Sequence, residues 1–414
     1  MKKSIKFLVL AFFLVMNADS NAQTAYITNS SDNTVSVINV ATNTVTDTIA
    51  VGSYPEGVSV SNDGSKVYIT NASDGTVSII NTSTNTVSAT IQVGGYPIGI
   101  AVIPNGTKVY VVNDGSNNVS VINVATNTVS STIAVNNNPV GIAVSPDGSK
   151  IYVVNNLNTV SVINTAADTV FATITVGNYP KGVAVSPNGN KLYVTNGNDG
   201  TVSIINTATN IVSDTIIVGN NPYGIAISPD GRKVYVTNRS TNTLSVIDTA
   251  SNTVIATIPV GAFTPWGVSL TPDGTKVYVA NNNSNSVSVI NTSTNSVSAT
   301  IPVGSHPYAF GNFISTYPVI TTGLASPRIE ESRISIYPNP ATSIITISDL
   351  RPDKSGGIYD LRITNVMGQE VYHQPLTTNY YLPTTIDVSN LNNGIYFYQL
   401  TNEKETVQGK FVKQ

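Results

Sequence analysis

Residues 222–261 read PYGIAISPDGRKVYVTNRSTNTLSVIDTASNTVIATIPVG. Four short runs, Gly224–Ser228, Lys233–Asn238, Thr243–Asp248 and Thr253–Val260, are rich in Val, Ile and Thr and alternate apolar with polar residues, the period of a half-buried strand. Turn chemistry separates them. Ser228-Pro229-Asp230-Gly231 puts proline where φ is fixed and glycine where φ is positive, and the Asn and Asp of the other bends tolerate left-handed conformations. The stretch predicts a four-stranded antiparallel sheet.

It is one copy of seven. The motif opened by Tyr26-Ile27-Thr28-Asn29 recurs at Tyr68, Tyr110, Tyr152, Tyr193, Tyr235 and Tyr278, at spacings of 42, 42, 42, 41, 42 and 43 residues. A single such sheet cannot bury both faces, but radially arranged sheets can, which is the β-propeller; a linear solenoid is the competing architecture. The ends of the array choose between them. The first copy begins at its second strand, Ala25–Asn29, and a spare first strand, Pro307–Ile314, follows the last copy. Joining the two completes a seventh blade, so the expectation is an all-β chain with a seven-bladed β-propeller over residues 23–316.

Before it, Lys2, Lys3 and Lys6 precede the apolar stretch Phe7 to Met16 and the small triplet Ser20-Asn21-Ala22, the layout of a signal peptide over residues 1–22. Ten apolar residues are too few to span a bilayer, and no later segment is longer, so no transmembrane segment is expected in the mature chain. After the repeats, residues 317–333 read as a linker with Pro318, Gly323 and Pro327. Residues 334–414 then change composition, with Tyr337-Pro338-Asn339-Pro340, strand-like runs at Ser343–Ser348 and Tyr359–Val366, and Gly394-Ile395-Tyr396-Phe397-Tyr398; they predict a small β-sandwich.

Tyr-Val-Thr-Asn, Thr-Val-Ser-Val-Ile and Pro-x-Gly-Val-Ala-Val-Ser-Pro-Asp-Gly resemble the YVTN-type seven-bladed propellers of microbial surface proteins, with Val112 and Val154 departing from the motif's Thr. Proteins of this kind include adhesin-like and surface-layer members, a periplasmic DNA-binding relative and, more distantly, lactonases and lyases. The Tyr-Pro-Asn-Pro opening, the Gly-x-Tyr-x-Tyr strand and the terminal Lys410-Phe411-Val412-Lys413-Gln414 are similar to the C-terminal sorting domain of the type IX secretion system (the Por system) of Bacteroidota. That resemblance implies a secreted or outer-surface protein. Its partner would be the type IX machinery, engaged through residues 334–414, with removal of the domain and attachment to lipopolysaccharide, or release, to follow.

Most chemistry is excluded by composition. There is no cysteine, His306 and His373 are the two histidines, and no Gly-x-Ser-x-Gly elbow occurs. Histidine or thiolate metal ligation lacks its spacing, and the Asp-Gly turns at Asp63, Asp147, Asp230 and Asp273 become Asn105 and Asn188 in two copies, as turn residues would. The glycines follow turn spacing, so no phosphate cradle and no cofactor are expected. The propeller's thirteen acids include one glutamate, Glu56, and exceed its nine scattered basic residues, an arrangement that opposes nucleic-acid binding. Asp47-Thr48-Ile49, Asp168-Thr169-Val170, Asp214-Thr215-Ile216 and Asp248-Thr249-Ala250 match a short O-glycosylation pattern of Bacteroidota, though a Thr-rich repeat produces it readily.

Positions that repeat meet the demands of the scaffold, so a position that varies chemically at a fixed place is a candidate for contact. The residue between Pro and Gly at the entry to each first strand is Glu56, Ile98, Val140, Lys181, Tyr223, Trp266 and, with Ala309 in place of glycine, Tyr308. First strands line a propeller's channel, so these side chains should ring one mouth of it. Tyr223, Trp266 and Tyr308 are consecutive and Glu56 follows, with Tyr54, Phe263 and His306 just upstream. An aromatic arc beside a carboxylate suits sugars, aromatic groups and peptide side chains. The candidate ligand-binding residues are therefore Glu56, Lys181, Tyr223, Trp266, His306 and Tyr308, with no catalytic or metal-ligating set. The expected role is a non-enzymatic binding or adhesion scaffold for a glycan or protein; a lactonase- or lyase-like enzyme using Glu56, Lys181 and His306 is the alternative, and a single-stranded DNA binder the third.

Overall fold

The computed structural model describes residues 23–315, 335–337, 343–348, 358–365, 369–377, 384–401 and 406–413. The signal-peptide stretch, the linker and Pro338-Asn339-Pro340 lie outside the described residues. The chain divides into two compact units, Met1–Thr322 and Gly323–Gln414.

In the first unit, six sheets have four antiparallel strands each, taken in chain order. The second blade shows the plan, with strands Pro55–Val60, Lys66–Asn71, Thr76–Asn81 and Thr86–Gln92. Its inner three strands are almost wholly buried, whereas the outermost alternates exposed and half-buried residues because one face of it meets solvent. Outer pairs bulge at a fixed place, between Ile79 and Ile80 here and between Val246 and Ile247 four blades on, which adds the twist a radial arrangement needs.

The repeated motif residues hold the blades to one another. The motif tyrosines are fully buried, and Tyr278 of the last blade shares a core with Ala25, Ile27, Val37 and Phe313 of the first. Motif threonines stitch neighbours: Thr70 Oγ1 accepts from Gly57 N–H at 2.8 Å and donates to Ile98 O of the next blade at 2.9 Å. Thr28, Thr195 and Thr237 reach the carbonyls of Glu56, Tyr223 and Trp266 in the same way. Val112, Val154 and Ala280 have no hydroxyl for this. Lysines at the start of the second strands form an outer set of staples, with Lys150 Nζ donating to Thr207 O at 3.2 Å, Lys191 to Thr249 O at 3.0 Å and Lys276 to Val40 O at 3.0 Å. Lys108 adds an ion pair to Asp168 at 2.8 Å. The scattered basic residues thus have a structural use.

The ring closes as the repeat phase requires. Tyr26 N–H donates to Phe313 O at 2.8 Å, Tyr308 N–H to Thr28 O at 2.9 Å and Ser315 N–H to Thr24 O at 2.9 Å. Residues 307–314 therefore serve as the first strand of the blade formed by Thr24–Asn29, Thr34–Asn39 and Thr44–Ala50. They are not a regular strand, because Ala309 (φ 48°) and Gly311 (φ 128°) interrupt the extended backbone and leave isolated bridges at Ala25–Ile314 and Asn29–Pro307.

The second unit is a sandwich of two antiparallel sheets. One holds Ser335–Tyr337, Ile344–Ser348 and Thr384–Asp387; the other is ordered Glu370–Thr377, Ile358–Asn365, Gly394–Thr401, Thr406–Lys413. Their facing side chains, Ile345 and Ile386 from one and Leu361, Ile363, Leu400 and Phe411 from the other, form one core. Tyr396 of the Gly-x-Tyr-x-Tyr strand stacks on Phe411 with ring centroids 5.6 Å apart, which explains both aromatic motifs.

Candidate ligand site at the channel mouth

Six of the seven first strands open Pro-x-Gly because the first strands converge there. A Cβ on Gly182 would stand 2.3 Å from Tyr223 O of the next blade, and one on Gly224 would stand 2.2 Å from Trp266 O, closer than any side chain tolerates. Where Ala309 replaces the glycine, Gly311 takes over the close approach, 2.3 Å from Val58 O.

With the strands this close, the variable side chains do not ring an open hole; they fill it. Ile98, Val140, Tyr223, Tyr308 and Phe310 form one buried cluster with Trp266 packed against it. Trp266 sits between Tyr223 and Tyr308, with centroid separations of 4.4 and 4.1 Å, and the two tyrosine hydroxyls hydrogen-bond at 2.7 Å. Sequence reasoning expected a ring lining the mouth; the tightness of the strand convergence makes it a plug. Below it, the later halves of the first strands enclose a space of about 610 Å³ lined by Val60, Ile100, Ile142, Val183, Ile225 and Val268, and Phe310 belongs to both.

Around the plug lie charged groups that the sequence pattern only half disclosed. Glu56 is 2% exposed, and burial pushes its carboxyl up to about 8; the Tyr96 hydroxyl at 3.4 Å and Lys181 oppose that shift, while Asp114 adds to it. Burial also raises the Asp114 carboxyl and lowers the Lys181 ammonium. Lys181 Nζ lies 3.8 Å from the Tyr179 ring centroid and 5.8 Å from that of Tyr223. The Arg239 guanidinium lies 4.0 Å from the Trp266 ring centroid and 5.6 Å from that of Tyr223. Glu56 Oε2, Asp114 Oδ1, Trp266 Nε1 and Arg239 Nε are all buried with no hydrogen-bond partner among the described residues. Orphan acceptors recur on the motif asparagines around the ring, Asn71 and Asn196 among them, so what sets this mouth apart is its gathering of charged side chains beside aromatic rings.

Tyr96, Tyr179, Asp114 and Arg239 were not among the expected residues, although the same test of variation at a fixed place would have found them. The residue before each first-strand proline is Tyr54, Tyr96, Asn138, Tyr179, Asn221, Thr264 or His306, and all seven hold φ between 50° and 59°. In that left-handed turn the carbonyl accepts the N–H of the residue after the motif asparagine: Asp114 N–H to Tyr96 O at 3.0 Å, Gly197 to Tyr179 at 2.9 Å, Arg239 to Asn221 at 3.0 Å. Three variable positions per blade are thereby tied together at one mouth. His306 takes part through its backbone, but its exposed ring pairs with Ser31 Oγ at 3.0 Å and stands outside the plug.

Beside Arg239 is a shallow cavity of about 550 Å³ lined by Asn221, Arg239, Ser240, Asn242, Phe263, Thr264 and Asn283. The Asp residues of the turns, by contrast, are satisfied locally: Asp63 accepts from Ser61 Oγ at 2.6 Å and Ser65 N–H at 3.0 Å.

Comparison with known proteins fits this architecture. Residues 8–105 and 184–291 match a family of YNCE-like β-propellers, residues 100–215 a family of lactonase seven-bladed β-propellers, and residues 335–414 the secretion system C-terminal sorting domain. The chain carries repeats similar to those of the YNCE-like β-propellers and ends in a C-terminal sorting domain. Among solved structures, a chain of Kuenenia stuttgartiensis hydrazine synthase is similar to this propeller protein at 25% identity and a TM-score of 0.61, over 65% of this chain and 92% of its own. A functionally unknown protein from Desulfotomaculum acetoxidans DSM 771 shares the fold at 21% identity and a TM-score of 0.63, over 71% of this chain and 98% of its own. No curated protein matches. The sorting domain of this propeller protein marks it as secreted or displayed on the outer surface and implies engagement with the type IX machinery. Among the described residues, no helix is long and apolar enough to cross a membrane.

Proposed function

We propose that this exported propeller is a binding scaffold that takes a glycan or protein ligand on the plugged mouth of its channel. One observation carries the reading: the charged side chains of Glu56, Asp114, Lys181 and Arg239 gather around an aromatic plug at one mouth of the channel. A ligand that hydrogen-bonds them while covering Tyr96 and Tyr179, both about two-fifths exposed, gains paired polar groups and buried aromatic area together. On this reading residues 1–22 direct the chain across the inner membrane, and the sorting domain delivers it to the surface, where it is anchored through lipopolysaccharide or released.

The test is a glycan and host-protein array probed with the full chain, repeated with Tyr179→Ala and Glu56→Gln. A captured ligand should be held about tenfold more weakly by each variant. Undiminished capture by both variants would move the site elsewhere. A second reading rests on Glu56 itself, since a carboxyl still protonated near neutral pH beside a lysine is equipped to act as a general acid. Turnover of a lactone or glycan that disappears in Glu56→Gln would establish that enzyme and displace the scaffold.

A further inference from the structure

We infer that the cavity beside Arg239 is a subsite for an acidic sugar, with the ligand's carboxylate on the Arg239 guanidinium. This rests on the reading of the mouth as a ligand site and names the ligand's chemical class. Arg239 is the one charged residue lining the cavity, and none of the ion pairs among the described residues includes it. Its Cζ lies 4.0 Å from the Trp266 ring centroid and its Nε has no partner, so the guanidinium has donors to spare. A fork of donors is what a carboxylate recognises.

The rest of the lining asks for hydroxyls rather than for a second charge. Asn221, Asn242 and Asn283 provide amides that donate and accept. Phe263, 65% exposed, offers a flat apolar face whose backbone is pinned by Ser284 Oγ at 2.8 Å, while Asn242 Oδ1 accepts from the N–H of Thr264 at 2.8 Å. A pyranose presents hydroxyls at its edge and C–H groups on its face, and a uronate adds the carboxylate. An acidic peptide would also pair with Arg239 and the amides, but the exposed ring of Phe263 favours the flat C–H face of a pyranose. The volume of about 550 Å³ falls in the range of small-ligand sites.

The experiment titrates the full chain calorimetrically with tetramers of mannuronate, guluronate, glucuronate and galacturonate, with their methyl esters, with neutral tetrasaccharides and with hexaglutamate. At least one uronate should bind about tenfold more tightly than its ester, and Arg239→Gln should erase that difference, so that acid and ester bind alike. Phe263→Ala, at an exposed position that cannot unsettle the plug, should weaken acid and ester alike, and melting curves confirm that each variant is folded. Equal binding of acid and ester, or hexaglutamate binding as well as the best uronate, overturns the acidic-sugar assignment. If neutral glycans or proteins bind the mouth while no uronate does, this subsite is wrong and the scaffold reading stands; if nothing binds, both fall.

Discussion

Glu56 shows how one buried side chain links the mouth to pH. Its carboxyl is raised from an ordinary 4.5 to about 8, chiefly because burial penalises the anion. Below about 4.5 the folded and unfolded chains both hold the proton and Glu56 contributes no pH dependence. Between about 4.5 and about 8 the folded state keeps a proton that the unfolded chain has released, so stability falls as pH rises, and above about 8 the loss is complete. Glu56→Gln is neutral throughout. Its urea midpoint should fall less steeply across that window and lie above the wild type at alkaline pH, and a variant that tracks the wild type from acid to alkali would show that water reaches the carboxylate. A ligand that pairs Oε2 should act in the same direction by removing the orphan.

At the scale of the strand, the motif threonine is a joint between blades rather than a mark of strand propensity. Thr70→Val keeps the volume and the β-branch but leaves Gly57 N–H and Ile98 O unpaired in a buried interface, which costs about 1–3 kcal/mol. Urea unfolding should register that loss, whereas Thr86→Val, on an exposed outer strand, should change stability little. Equal effects at the two positions would mean that the stitch contributes nothing beyond propensity. Val112, Val154 and Ala280 show that the ring tolerates three missing stitches, as expected where each joint is one of several across an interface.

For the whole molecule, closure is the cooperative element. The bonds from Tyr26, Tyr308 and Ser315 join residues separated by almost the full length of the propeller, and Lys276 adds a staple from the last blade to Val40 of the first. A chain ending at Gly304 loses the strand that covers Thr24–Asn29 and exposes its edge. It should melt with lower cooperativity or self-associate, while one ending at Thr322 should melt as a single ring. Two truncations that melt alike and stay monomeric would place the source of cooperativity elsewhere.

The sequence by itself determined what depends on period and local chemistry. The spacing of the seven motif copies, the Pro-Asp-Gly turns and the phase offset between the ends required seven blades and closure through residues 307–314, and the aromatic motifs of the last eighty residues announced a second β domain. It also pointed to Glu56, Lys181, Tyr223, Trp266 and Tyr308, because a residue that breaks a repeat is visible without coordinates. Only the tertiary structure decided how far apart the first strands stand, and therefore that Tyr223, Trp266 and Tyr308 plug the mouth instead of lining it. It alone brought Asp114 and Arg239, each from the end of a second strand, to the loops that carry Tyr96 and Asn221. The physical reason is that periodicity reports which face a residue takes along its own strand, whereas the burial that raises Glu56 and the ring contact of Arg239 with Trp266 arise from side chains of other blades.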